Sequence, residues 1–234
     1  MRFRPAAISV LCAALFCAPL AATQKPGPAP APAQKAGNTS PAQVRTAITQ
    51  LGSFEFPVRM DAGRIVRRAE PSVAVPALLE TIGNQKADWY VRFRALVLLS
   101  GFNDPRIQQV MQTTLDDRND RLRALAYNWF EHHPDPKVLP RLVAALDKEE
   151  TEFVRPAVSR ALVAHADDPK VRTLVTGLVM TGQDLFRAVV IEALGERKAG
   201  FALQPIMAVA KLEGPLQDDA VLAIGRIGDK RGLV

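Results

Sequence analysis

Residues 88–115 read DWYVRFRALVLLSGFNDPRIQQVMQTTL, and this stretch spells out two helices and the turn between them. Ala95, Leu98 and Leu99 follow Arg92 at spacings of three and four, which puts them on one face of a helix. Asp104-Pro105 then marks a new start: an Asp carboxylate accepts from the free N–H groups of a first turn, and Pro fits where no N–H is needed. The pattern recurs. An apolar residue followed by Arg stands at Val58-Arg59, Val91-Arg92, Leu122-Arg123, Val154-Arg155 and Phe186-Arg187, with the arginines 33, 31, 32 and 32 residues apart. Acid-Pro pairs follow at Glu70-Pro71, Asp104-Pro105, Asp135-Pro136 and Asp168-Pro169. A fixed period in the thirties predicts a repeat array. Units of two helices bury their apolar faces only by stacking on their neighbours.

These units resemble HEAT-like repeats, of the short kind also seen in phycobilisome-lyase-type proteins. The resemblance covers residues 54–234 and rests on the order "apolar-Arg, helix, Asp-Pro". The Trp-Leu-Gly-Tyr pattern of tetratricopeptide repeats, whose period is similar, is missing. The resemblance implies an all-α fold, a right-handed α-solenoid (superhelix) of stacked antiparallel helix pairs with one helix of each pair on the concave face. It implies no reaction. The expected plan is an N-terminal cap helix over 41–53, five repeats over about 54–214 and an incomplete sixth over 215–234. The fifth unit departs from the pattern, with Glu196-Arg197-Lys198-Ala199-Gly200 in place of an acid-Pro pair, which predicts a different turn. The last unit stops where its second helix would begin, so its apolar faces are expected to be open to a further segment or another chain.

The segment before the repeats is of other material. Arg2 and Arg4 precede the apolar stretch Ile8–Ala18, and Leu20-Ala21-Ala22 offers small residues. This is the grammar of a secretory signal peptide, residues 1–22, cut after Ala22. The apolar run is broken by Pro19 and falls short of a spanning helix, so membrane contact is expected only through an uncleaved signal segment. Export to the periplasm or the medium follows as an expectation. Residues 23–40 are rich in Pro, Ala and Gly and read as a disordered linker. Both cysteines, Cys12 and Cys17, lie in the leader, so the mature chain would hold no disulfide or thiolate site.

The formal charge of +6 misleads as a clue to nucleic acid. The first 36 residues carry Arg2, Arg4, Lys25 and Lys35 and no acid, which leaves the rest at +2. A nucleic-acid binder would show a basic folded domain, and none is expected as partner. The sequence contains no Gly-rich phosphate loop, no G-x-S-x-G and no H-E-x-x-H. No catalytic, cofactor or metal set is predicted.

Three sets of residues recur in register. Arg59, Arg92, Arg123, Arg155 and Arg187 form a structural ladder, with Asp88, Asp120, Glu152 and Asp184 just upstream as expected ion-pair partners. Arg106, Lys137 and Lys170 each follow an acid-Pro pair, at helix N-termini where the dipole disfavours a cation. With Arg141 and Arg172 they predict a protein-binding edge that receives an acidic surface. Phe102, His133, His165 and Arg197 form the third set; a His at a helix C-terminus meets the dipole favourably, and packing is the simpler role. Trp89, Phe93, Trp129 and Phe130 fall at helical spacing and read as core or rim. The expected function is a non-catalytic interaction scaffold in the cell envelope or outside the cell. The alternatives are an accessory repeat domain of a larger enzyme or lyase-like protein, and an envelope component that self-associates through its open C-terminal end.

Overall fold

The structure is a computed structural model in which residues 39–232 are described. The expected signal peptide and nearly all of the linker lie outside them. Among the described residues the regular structure is helical throughout. The helices are α1 (Pro41–Gln50), α2 (Phe56–Arg68), α3 (Pro71–Gly83), α4 (Trp89–Ser100), α5 (Ile107–Thr114), α6 (Asp120–His132), α7 (Leu139–Leu146), α8 (Arg155–Val163), α9 (Pro169–Met180), α10 (Asp184–Glu196), α11 (Leu203–Ala210) and α12 (Gln217–Ile227). None is long and apolar enough to cross a membrane.

Among the described residues, side-chain caps set four of the twelve α-helix starts. Ser40 and Gln43 form a reciprocal capping box ahead of α1. Asp88 accepts from the amides of Tyr90 and Val91, Asn119 from Arg121 and Leu122, and Asp168 from Lys170 and Val171. Each such cap is worth about 1 kcal/mol. Two acid-Pro pairs act earlier than predicted. Asp135 turns the chain into a short 3-10 segment, Pro136–Val138, and α7 starts only at Leu139. Asp104 takes both the amide and the guanidinium of Arg106, so α5 starts at Ile107. The turn after α10, which has no acid-Pro pair, differs from both: Lys198 adopts φ +52 and Gly200–Ala202 form a 3-10 turn before α11.

The packing sets a phase that the period alone does not. The arginine-based unit joins each Arg-bearing helix to the acid-Pro helix that follows it. Each ladder-arginine helix instead packs closely on the helix before it, α1 with α2, α3 with α4, α5 with α6, α7 with α8 and α9 with α10, and α11 packs with α12 in the same way. Connection length does not decide this: residues 69–70 alone join α2 to α3, which are not close partners, whereas residues 147–154 join the packed α7 and α8. The described residues thus form an α-solenoid of six such pairs. Helix α1 is the first member of a pair and also packs on α3.

The second helices of the later pairs, α6, α8, α10 and α12, stack directly on one another. Their facing residues are buried: Leu122, Ala126 and Phe130 on α6; Val158, Ala161 and Leu162 on α8; Ile191 and Leu194 on α10; Ala220 and Ala223 on α12. Small residues bring the axes close. A Cβ placed on Gly195 would lie 2.8 Å from the Ala223 Cα and 2.9 Å from its Cβ. The first members of pairs are packed less evenly. α1 meets α3 and α9 meets α11, whereas α3 and α5 make little contact.

Candidate interaction surface

The five ladder arginines all reach the main chain at the end of their own pair's first helix, where carbonyls lack helical partners. Arg59 Nη1 donates to the carbonyls of Ser53 and Phe54, Arg92 Nε to Ile82, Arg123 Nη1 to Asp117 and Arg118, Arg155 Nη1 to Leu146 and Glu149, and Arg187 Nε to Val179. The carboxylates they meet are mostly not the expected ones. Arg92 pairs with Asp117, and Arg123 makes a two-pronged pair with Glu149 at 2.6 and 2.9 Å. Only Asp184 behaves as predicted, 2.9 Å from Arg187. Asp88 is occupied by the amides of its own helix start. Asp117 and Glu149 come from the turn of the next pair, so these arginines tie one pair to the next. Burial works to raise the Asp117 carboxyl, and the Arg92 fork and the Asn119 amide outweigh it and hold the group below the usual range.

The predicted basic edge divides in two. Arg106 is bound to Asp104, and its guanidinium holds that carboxyl at about 2. Arg141 donates to the Gln112 carbonyl at 2.9 Å and pairs with Asp116 at 2.7 Å. Arg172 donates to the Ala166 carbonyl and lies 4.9 Å from the Phe201 ring centroid. These three are engaged within the fold. Lys137 and Lys170 are exposed, and among the described residues their ammonium groups have no ion pair. The lysines flank the acid-Pro turns whose carboxylates bind their amides.

Where α3 and α5 separate, a groove of about 630 Å³ opens between them. Leu79, Ile82 and Val110 line its apolar part, Gln85, Gln109 and Thr113 its polar part, and Arg92, Arg106 and Arg118 face it together with the carboxylates Asp116 and Asp117. Of the five residues predicted for a binding edge, only Arg106 lines this groove. The polar face of α5 was legible in the sequence, where Gln108 and Gln112 are expected on the concave surface, but those two donate to Asp135 and only Gln109 lines the groove.

Among the described residues no group of three or more His, Cys, Asp and Glu is placed to hold an ion. The His133 ring stacks on Trp129 at 4.1 Å and its Nδ1 lies 2.9 Å from that residue's carbonyl. His165 is 8% exposed and its Nε2 has no protein partner. Burial pushes its pKa down, Asp135 and Asp168 pull it up, and Arg197 pushes it down again. Arg197 itself donates to the Glu131 carbonyl at 2.8 Å. Of the aromatics, Phe130 is core, Phe93 and Trp129 are partly buried, and Trp89 is exposed.

Residues 107–195 match the family model of HEAT repeats. The match runs from the first residue of α5 to the last turn of α10, which is three packed pairs. No curated protein matches the chain. Among solved structures, the complex of CpcE and CpcF of phycocyanin lyase from Nostoc sp. is similar at 16% identity and a TM-score of 0.39, over 87% of this chain and 99% of that one.

Proposed function

We propose that this chain, whose described residues form an α-solenoid and whose residues 107–195 match HEAT repeats, is a non-catalytic protein-binding scaffold working in the periplasm or outside the cell. The groove between α3 and α5 is the observation that carries this reading. It offers apolar contact, amide and hydroxyl groups, and both arginine and carboxylate groups in one site, which is the mixture a protein partner needs. A stack of pairs suits such work, because its surface grows with repeat number while each pair needs only its neighbours for stability. The partner presents an acidic surface, met by Lys137 and Lys170, whose ammonium groups have no ion pair among the described residues, and by Arg106, which would exchange Asp104 for it. Export is supported by the basic and apolar leader over residues 1–22.

The test is a comparison of two baits, residues 23–234 and the same chain with Arg106→Glu, Lys137→Glu and Lys170→Glu. Equal helicity by circular dichroism is required of both. A partner retained from an envelope extract by the first and lost by the second supports the scaffold and its edge. A partner retained by both removes the edge, and no partner for either removes the scaffold. Export is checked separately by sequencing the N-terminus of the chain recovered from the periplasm or medium, which should begin at Thr23.

A further inference from the structure

The carboxylates that join one pair to the next occupy a fixed register. Asp117 lies six residues before Arg123, and Glu149 six residues before Arg155. Each is bound by the ladder arginine of the preceding pair, Arg92 and Arg123 respectively. Six residues before Arg187 the chain has Thr181, and the whole turn between α9 and α10 is Thr181-Gly182-Gln183, without an acid.

Arg155 is the arginine that this missing carboxylate leaves behind. Its posture matches that of Arg123. In both, Nη1 is spent on main-chain carbonyls at the end of the preceding helix. Arg123 then uses its Nε and Nη2 edge to grip both oxygens of Glu149. The Nε and Nη2 of Arg155 have no partner among the described residues. The guanidinium is held in place by the Phe186 ring, 5.2 Å from its central carbon. At Arg59 the corresponding register position is Lys86, and that guanidinium lies 5.8 Å from its own Phe56 ring instead.

The space that a carboxylate would fill is present as a cavity of about 380 Å³, lined by Arg155, Arg187, Ser159, Thr181, Gln183 and Phe186. That is room for on the order of ten water molecules, enough for a carboxylate and its short stem. Ser159 is 2% exposed, whereas Thr181 and Gln183 at the mouth are exposed. Glu150 also lines the mouth, and it makes no ion pair with Arg155. Its charge opposes an incoming anion.

We infer that this cavity is a carboxylate-binding site, in which a ligand supplies to Arg155 the two oxygens that Glu149 supplies to Arg123. A planar guanidinium with two parallel N–H groups open is matched to a carboxylate. The source is an acidic side chain on a partner or a small free carboxylate. This goes beyond the scaffold reading and concerns the edge opposite Arg106, Lys137 and Lys170, so either can fail alone.

The experiment follows the Arg155 Nε–H resonance in the ¹⁵N-labelled full chain. The probes are a terminally blocked peptide with one Glu, the same peptide with Gln, sodium acetate and inorganic phosphate. The Glu peptide should shift the Arg155 signal and the Gln peptide should not. An equal response to acetate assigns the site to small carboxylates, and a response to the peptide alone assigns it to a partner's side chain. Thr181→Glu places the carboxylate in cis; it should raise the melting temperature and abolish the shift. Glu150→Gln should strengthen binding. The inference is overturned if no carboxylate moves the signal, if phosphate alone moves it, or if Thr181→Glu binds as the parent chain does.

Discussion

Arg92 and Asp117 are the most enclosed ion pair of the array, with 6% and 4% of their side chains exposed. At that burial each charge depends on the other, and removing one partner leaves the second stranded. Asp117→Asn should therefore cost about 3–5 kcal/mol, read as a lower urea midpoint at neutral pH. The same pair gives a pH dependence. The folded-state pKa of Asp117 lies below its unfolded value, so its stabilisation is present above about pH 4 and is lost as pH falls through the folded value. His165 works at the other side of the scale. Its pKa is lowered by burial, so the unfolded chain binds the proton first and stability falls as pH drops below about 6.5. A His165→Gln variant should show a smaller change in urea midpoint between about pH 7.5 and about pH 5 than the parent does.

Helices α10 and α12 touch through a glycine and an alanine, and the contact leaves no space for a methyl group on Gly195. Gly195 lies inside a helix, where Ala has the better propensity by about 1 kcal/mol. The clash should outweigh this preference, since overpacking costs about 1–3 kcal/mol. Gly195→Ala is expected to lower the melting temperature, and a rise would show that α12 can shift outward without loss. At the start of α9 the Asp168 carboxylate caps two amides, and Asp168→Ala should cost about 1 kcal/mol by the loss of that cap. The basic residue beside it has less to lose: Lys170 is exposed and has no ion pair among the described residues, so Lys170→Glu should leave the melting temperature nearly unchanged while altering partner capture.

Across the array, cooperation runs along the stacked second helices. Arg160 of α8 is paired with Glu131 of α6 and with Glu192 and Glu196 of α10, and Arg226 of α12 reaches the same two acids of α10. The phase of the pairs makes a whole-molecule prediction. A chain ending at Arg197 loses one complete pair and should keep α1–α10 folded. A chain ending at Gly214 retains α11 without α12, its packed partner. If the pairs are the cooperative units, α11 in the longer chain should exchange its amide hydrogens as fast as an open segment. Protection of α11 equal to that in the parent would argue against the pair as the unit.

The sequence by itself determined the period, the helical class and the starts of α1, α3 and α9, because each depends on chemistry within a few residues: apolar spacing of three and four, an acid or Ser before a first turn, a Pro where no amide is needed. It also marked the ladder arginines, which stand out by recurrence. Only the tertiary structure decided how the helices pair, since a strict repeat has the same period whichever helix is counted first. It decided as well that Arg92 and Arg123 take their carboxylates from 25 and 26 residues further on, rather than from the acids three or four residues upstream. A nearby acid can satisfy its own helix start, as Asp88 does, and which distant acid then reaches the guanidinium depends on how one pair is set upon the next. The groove between α3 and α5 and the open fork of Arg155 belong to the same level. Each is a place where neighbouring pairs fail to fill the space between them, and that depends on the geometry of the stack.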